Sequence, residues 1–423
     1  MAIHRIAVVG SGVAGLTAAH LLKKQHRVTV FEAASRLGGH TNTVQCDDGE
    51  GGVVGVDTGF IVCNDTTYPN FHKFLAELGV PWRFADMSVS VSNRSTGVEY
   101  CSRDLDAVFA QRQNLFSPKF LKMILDVTRF WRVAARDLAA GLSDTETLGA
   151  WLKRRRFSGA IVSDYLTPIA AAVWSSSATG ILDFPVGTFL EFYRNHGFLR
   201  FYRQPRWQTV VGGSQKYIDA WTAQFPGDVA LDAPVTEVKR EAAGVSLFGP
   251  GGREYGEFDY VVVATHANHV LGVLGEGNIR ADEREVFSAW RYHRNLAVLH
   301  EDPKMMPSER RAWGSWNYRK EIADSGSAPV SVTYDMNNLQ GLTCNRRFFV
   351  TLNPTTELSR EIARFDYEHP MYTVEAVQGR GKLAALQGRD RTFFCGSYHG
   401  YGFHEDAVKS GAAVAAQLGC LFD

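Results

Sequence analysis

The stretch that most restricts what this chain can become runs from Arg5 to Glu32. Arg5 to Gly10 (RIAVVG) is a short apolar run rich in β-branched residues, as suits a strand buried on both faces of a parallel sheet. Gly10-Ser11-Gly12-Val13-Ala14-Gly15 follows at once, Leu16 to Lys24 continues with helical apolar spacing, and Arg27 to Glu32 reads as a second strand ending in an acid. Each piece has a physical task. Gly10 permits a tight turn, Gly12 lets backbone approach a pyrophosphate, and Gly15 lets the helix pack closely on the strand. The helix N-terminus, at Val13 and Ala14, offers unpaired N–H groups and a partial positive charge to phosphates. Glu32, with Ala33 beside it, stands where an acid accepts hydrogen bonds from ribose hydroxyls. A lone glycine triplet would also fit a plain strand-to-helix turn. Strand, glycines, helix, second strand and acid in one order specify a dinucleotide site.

The next residues bear on which dinucleotide. Ala33-Ala34-Ser35-Arg36-Leu37-Gly38-Gly39-His40 brings a cation, Arg36, toward the pyrophosphate, and two glycines through which backbone passes close to a flat cofactor. This segment resembles the ExxxRxGGR signature of the flavin amine oxidase and phytoene desaturase superfamily, with His40 where those families usually carry Arg. The resemblance implies FAD. It extends to the Thr41-led TNTV stretch and to Val56–Phe60, where Thr58, Gly59 and Phe60 match a flavin-contacting segment. Arg206 to Ser214 matches the return from the substrate domain, with a helical pattern on through Trp221. Ala233–Val238 resembles the strand whose Val235 backbone borders the adenine, and Asp259–Ala267 resembles the strand and loop near the pyrophosphate, through Ala264 and Thr265. Near the C-terminus, Phe393–Gly396 reads as a strand ending in Gly396, and Asp406–Gly411 opens a helix that runs through Ala416. In the family this helix aims its N–H groups at the flavin pyrimidine, which places Phe403, His404, Glu405 and Ala407 at the ring. Asp406 equally fits a helix cap. A chain-end strand and helix packing back onto the N-terminal unit is an arrangement that FAD needs and NAD does not. Closer still, TNTV, DTGF, Gly314–Tyr318 and GYGFHED resemble a bacterial group of predicted NAD/FAD-binding amine-oxidase-like proteins associated with modification of membrane fatty acyl chains, which suggests a substrate class.

At 423 residues the chain exceeds a single core. The expected fold is α/β: a Rossmann-type, glutathione-reductase-like FAD-binding domain with a parallel sheet (residues 1–74, 206–274 and 381–423) and an interleaved α+β substrate-binding domain (75–205 and 275–380). Lys plus Arg equals Asp plus Glu at 45 each, so no general field draws the protein to nucleic acid. The six cysteines show neither a CxxC pair nor a zinc spacing, so reduced, mostly buried thiols and no metal site are expected. No secretory signal opens the chain, which indicates a cytoplasmic protein. The uncharged run Tyr165–Leu182 holds Pro168, Ser175, Ser176, Ser177 and Gly180, a poor bilayer span and a better buried domain segment.

Ser117 to Arg136 reads as a helix capped by Ser117 and Pro118. Phe120, Leu121, Ile124, Val127, Phe130, Trp131 and Ala134 share an apolar stripe, while Lys119, Lys122, Arg129, Arg132 and Arg136 dominate the polar side; Arg154–Arg156 adds a second basic cluster. Two readings stand. Either the stripe packs into the domain and the charges are solvated, or the helix lies on an anionic bilayer and the protein is peripheral on the inner face of the membrane.

Aromatic and histidine residues gather at Trp290–His293, Trp313–Tyr318, Tyr334 and Tyr398–His404. The last group precedes the flavin-facing helix, so Tyr398, Tyr401 and Phe403 are candidates to wall a substrate pocket. His404 or His399 is a candidate proton acceptor because imidazole titrates near neutral pH; His293 and His300 are more remote. No thiol or His stands in a defensible position for covalent flavin attachment, so a dissociable FAD is expected, and no lysine clearly matches the one many amine oxidases place near the flavin. The expected activity is hydride abstraction from a C–H of a hydrophobic small-molecule or lipid substrate, an unsaturated or modified fatty acyl chain. A flavin amine oxidase, a double-bond isomerase and a non-catalytic FAD-binding partner of a lipid-modifying enzyme remain as alternatives. Sequence leaves the oligomeric state open.

Overall fold

The computed structural model describes residues 2–142, 145–174, 181–195, 199, 205–321 and 331–423. Its first strand, Arg5–Val9, lies at the centre of a five-stranded parallel sheet in the order Asp228–Ala230, Arg27–Phe31, Arg5–Val9, Tyr260–Val263, Thr392–Phe394. Ile6, Ala7, Val8 and Val9 are all buried, as a strand covered on both faces requires. The last of these strands comes from the far end of the chain. After it, the helix His404–Gln417 packs along the first helix, Val13–Leu22, so tightly that a Cβ on Gly411 would stand 2.3 Å from the Ala14 carbonyl oxygen. An antiparallel meander of Glu237–Arg240, Val245–Phe248 and Glu254–Phe258 completes this half.

A second, seven-stranded sheet carries Glu361–Met371, Arg291–His300, Phe349–Leu352, Ser331–Asp335, Trp316–Lys320, Val89–Asn93 and Val98–Cys101. Its strands come from two separate stretches of sequence and pair antiparallel except where Trp316–Lys320 meets Val89–Asn93. Helices Pro118–Ala140, Leu148–Arg154 and Val186–Asn195 share a core in which Phe130 meets Trp151 and Tyr193 edge-on. The interleaved α/β and α+β plan is therefore present. A boundary at residue 75 would fall inside helix Pro69–Leu78, which packs on the C-terminal helix. Trp82–Phe84 also pairs with the return strand Trp207–Val210, so the chain crosses to the second half only after residue 84.

Ser117 caps the long helix as expected, its hydroxyl accepting from the Phe120 amide at 3.3 Å. Its buried face is Phe120, Met123, Val127, Phe130 and Ala134; Leu121, placed by sequence in the same stripe, points outward because it sits off that face. In Tyr165–Leu182, Leu166, Ile169 and Ala170 are buried, and residues 175–180 lie outside those described. The six cysteines are free thiols, all buried except half-buried Cys344.

Candidate functional site

A cavity of about 570 Å³ opens at the C-terminal edge of the parallel sheet, where the glycine turn, the C-terminal helix and the second sheet converge. Gly10 turns with φ of +105°, and a Cβ there would come within 2.8 Å of the Ala264 carbonyl. Gly15 does not line the cavity: it is pressed on the strand, its would-be Cβ only 2.0 Å from the Gly10 oxygen. Gly12 is different. No protein atom lies within 4 Å of the position its Cβ would take, and it opens onto the cavity. No side chain caps helix Val13–Leu22 and no acid stands in its first turn. A glycine facing open space in front of an uncapped helix N-terminus is what a pyrophosphate requires. Glu32 lines the same end, with Ala33 and Val235; its Oε2 accepts from the Ser11 amide at 2.9 Å and its Oε1 from Ala34 N–H at 2.9 Å, which fixes the carboxylate beside the cavity.

Gly38 and Gly39 carry the second glycine loop across the first. Gly38 donates to the Ser11 carbonyl at 3.1 Å, and a Cβ on Gly39 would stand 3.2 Å from Gly12 Cα. Gly59 passes so close to the next segment that its Cβ would meet the His40 oxygen at 1.9 Å. His40, Thr58, Gly59 and Phe60 line the wall, opposite Ala264 and Thr265. Burial holds His40 well below the usual imidazole range, and its ring lies 4.6 Å from Tyr367 and 5.0 Å from His369. Arg36 corrects the sequence reading: its guanidinium donates to the Thr41 and Gly39 carbonyls, each at 2.8 Å, and more weakly to Leu37, so it braces the loop and does not reach the cavity. Thr41 is likewise buried behind the wall, its hydroxyl bonded to Tyr217.

At the other end Gly396, Tyr398, Tyr401, Phe403, His404 and Ala407 reach the cavity wall. Phe403 stacks on Phe192 at 5.1 Å, and the Tyr401 hydroxyl donates to Glu191 at 2.6 Å. His404 stacks on Phe60 with centroids 3.6 Å apart and meets the Tyr217 hydroxyl at 2.9 Å. Burial pulls its pKa down to about 3, and that of His399, which lies off the cavity, to about 4. The expectation that either imidazole titrates near neutral pH is corrected: desolvation without a nearby carboxylate keeps both neutral and makes each a weak base. Glu405 also turns away. Its carboxylate accepts from Asn70 N–H at 3.1 Å, Asn70 Nδ2 at 2.6 Å and Phe71 N–H at 2.9 Å, tying the C-terminal helix to helix Pro69–Leu78. Asp406 takes the capping role, accepting from the Tyr401 and Phe403 amides at 2.9 and 3.0 Å.

Three features escaped sequence reading. The first is the apolar arm of the cavity, where Ile61, Val62, Met87, Phe192, Trp207 and Leu352, from remote segments, join Trp316 and Tyr334, two aromatics already marked by sequence. Among the described lining residues this arm carries no carboxylate, lysine or arginine. The second is Asp57, fully buried and bonded to Thr43, to the Ser214 amide and hydroxyl, each at 2.8 Å, and to Gln340 at 3.0 Å. It joins the hairpin to the returning helix; Asp57 opens the DTGF motif, but its partners at Thr43, Ser214 and Gln340 are remote in sequence. The third is a group at the cavity rim, His266, His269 and Glu368, whose potential ligand atoms lie within 4.8 Å of one another. Asn268 at 3.3 Å and Arg294 at 3.4 Å already share the Glu368 carboxylate. Glu368 comes from a distant strand, so no sequence spacing signals the group.

Residues 13–296 match the family described as flavin containing amine oxidoreductase. Among solved structures the chain is similar to a redesigned putrescine oxidase (TM-score 0.69, 17% identity, 98% of each chain covered). It is similar also to a CLA-producing fatty acid isomerase from P. acnes (TM-score 0.67, 14% identity, 98% of each chain covered). A third is cyclohexylamine oxidase from Brevibacterium oxydans (0.65, 17%, 99% of this chain and all of that one).

Proposed function

The chain belongs to the flavin containing amine oxidoreductase family, and we propose that it abstracts hydride from a C–H bond of a hydrophobic substrate, an unsaturated or modified fatty acyl chain. It is an FAD-dependent oxidoreductase; bound FAD supplies the two-electron acceptor. The chain's own residues do the rest. The N-terminus of the first helix would hold the diphosphate and Glu32 would accept from the ribose hydroxyls, while the C-terminal helix directs its N-terminus toward the cavity. The apolar arm excludes water and aligns the substrate by shape.

The observation that carries the substrate class is the chemistry of that arm. A protonated amine entering it would meet no counter-charge among the described lining residues, whereas a hydrocarbon chain gains roughly 0.8 kcal/mol for each methylene it buries. The two carboxylates among the described lining residues, Glu32 and Glu368, stand at the nucleotide end and the rim. Purified holoprotein incubated anaerobically with unsaturated fatty acids or phospholipids should lose its oxidised-flavin absorbance. Bleaching by amines and not by lipids would overturn the assignment. A redox-neutral double-bond shift is the second reading, supported by the fatty acid named for one fold relative. It would yield product with no acceptor consumed. A non-covalent FAD, released on denaturation, belongs to the same proposal.

A further inference from the structure

We propose that the segment 105–132 is a docking surface for an anionic lipid bilayer. Five of the exposed large apolar side chains fall in this one part of the chain: Leu105 (78% exposed), Leu115 (45%), Phe116 (86%), Leu121 (40%) and Leu125 (68%). Singly exposed leucines are ordinary, but a run of them ending in a nearly naked phenylalanine is not. They are not the stripe that packs the helix into the protein, because Phe120, Met123, Val127, Phe130 and Ala134 already do that from the opposite side. Leu121 and Leu125 are one turn apart and share a face, and Phe116 immediately precedes the Ser117 cap. Arg112 ties in the short helix Leu105–Val108 through the Asp106 carboxylate and the Phe109 carbonyl at 3.0 Å, which brings Leu105 to the same end.

The charge around this apolar group selects the partner. From Arg112 to Arg136 the chain carries Arg112, Lys119, Lys122, Arg129, Arg132 and Arg136 against one carboxylate, Asp126. Lys119, Lys122, Arg132 and Arg136 are exposed. Outside that run the neighbouring carboxylates are already taken: Asp104 and Asp106, beside Leu105, bond to Arg103 and Arg112, and buried Asp137, at the far end, bonds to Arg155 and Arg136. Apolar side chains set among solvated cations match a surface that offers acyl chains beneath negative headgroups. No helix among the described residues is long and apolar enough to cross a membrane, so the contact is interfacial. The surface also lies close to the cavity. On its inner side Phe130 packs edge-on against Tyr193, in the helix Val186–Asn195 whose Phe192 lines the cavity and stacks on Phe403. A substrate leaving the bilayer here has one helix to pass.

The test uses FAD-loaded protein and sedimentation with vesicles of phosphatidylcholine alone or mixed with phosphatidylglycerol. Wild type should sediment with the mixed vesicles, and the bound fraction should fall as salt rises. Lys119→Glu with Lys122→Glu, and separately Phe116→Ser with Leu125→Ser, should each weaken binding more than about tenfold. All four side chains are exposed, so flavin absorbance and thermal unfolding in solution should match wild type. Wild type that stays in the supernatant with both vesicle types would overturn the proposal, as would variants that bind like wild type. So would a dimer in solution that the Phe116→Ser, Leu125→Ser pair dissociates while vesicle binding is nil, since the patch would then join two copies of this chain.

Discussion

Gly12 and Gly15 belong to one turn and meet opposite surroundings, so changing each should break something different. A side chain at Gly12 has room within the protein and a backbone φ of −61° that any residue adopts, but it would occupy the space in front of the helix N-terminus. Gly12→Val should therefore fold with near wild-type stability yet purify colourless and take up no FAD, as absorbance and thermal unfolding will show. At Gly15 the new carbon would collide with the Gly10 oxygen. Gly15→Val should lower the unfolding free energy by about 3 kcal/mol or more as well as lose flavin, because helix and strand must separate to admit it. The close packing that motif reading expects of Gly15 is what the backbone shows, and the open space at Gly12 is compatible with the role expected of it. Motif reading misjudged Arg36, Thr41, Glu405, His399 and His404, because where a flexible or polar side chain turns depends on partners remote in sequence. The Glu405 partners, Asn70 and Phe71, lie on another helix altogether.

Helices divide in the same way between what their own residues settle and what their neighbours settle. The C-terminal helix begins at His404, two residues before the acid that the sequence marks as its opening, because Asp406 caps from its third position. Asp406→Ala would leave the Tyr401 and Phe403 amides unpaired and loosen the turn on which Tyr401, Phe403 and His404 ride. A loss of about 1–2 kcal/mol in unfolding free energy is expected, with weaker FAD retention on dilution. Asp406→Asn, which keeps an acceptor, should recover most of it. The helix Pro118–Ala140 was legible as a helix and as amphipathic, yet its periodicity admitted both a packed and a membrane-facing stripe. The fold uses both sides: five large or medium apolar residues go inward, and Leu121 and Leu125 stay outside among the cations.

Across the whole molecule, buried neutral imidazoles couple the fold to acid. Burial lowers His300, His369 and His399 to about 4 and His404 to about 3, whereas histidines of the unfolded chain titrate near the ordinary value of about 6.5. The unfolded state therefore binds protons that the folded state refuses, so stability is intact above that value and is lost as pH falls toward the folded values. Each ring should cost on the order of 2 kcal/mol by about pH 5. Asp57, pushed up to about 7 by burial, acts in the opposite sense, as do Asp164, Asp335, Glu405 and Asp406, which burial also raises; the imidazoles are expected to set the direction of the change. Urea unfolding at about pH 7 and about pH 5 should show a clear drop in midpoint; equal midpoints would mean that these rings take up protons while folded. By itself the sequence determined the dinucleotide unit, the parallel sheet and the interleaving of two halves, because strand burial, glycine turns and helix starts are set by residues within a few positions of one another. The tertiary structure alone decided the charge-free apolar arm, the Asp57 junction, the His266–His269–Glu368 rim and the neutrality of His404. Each of these is made by groups far apart in the chain, and desolvation exists only once they have been brought together.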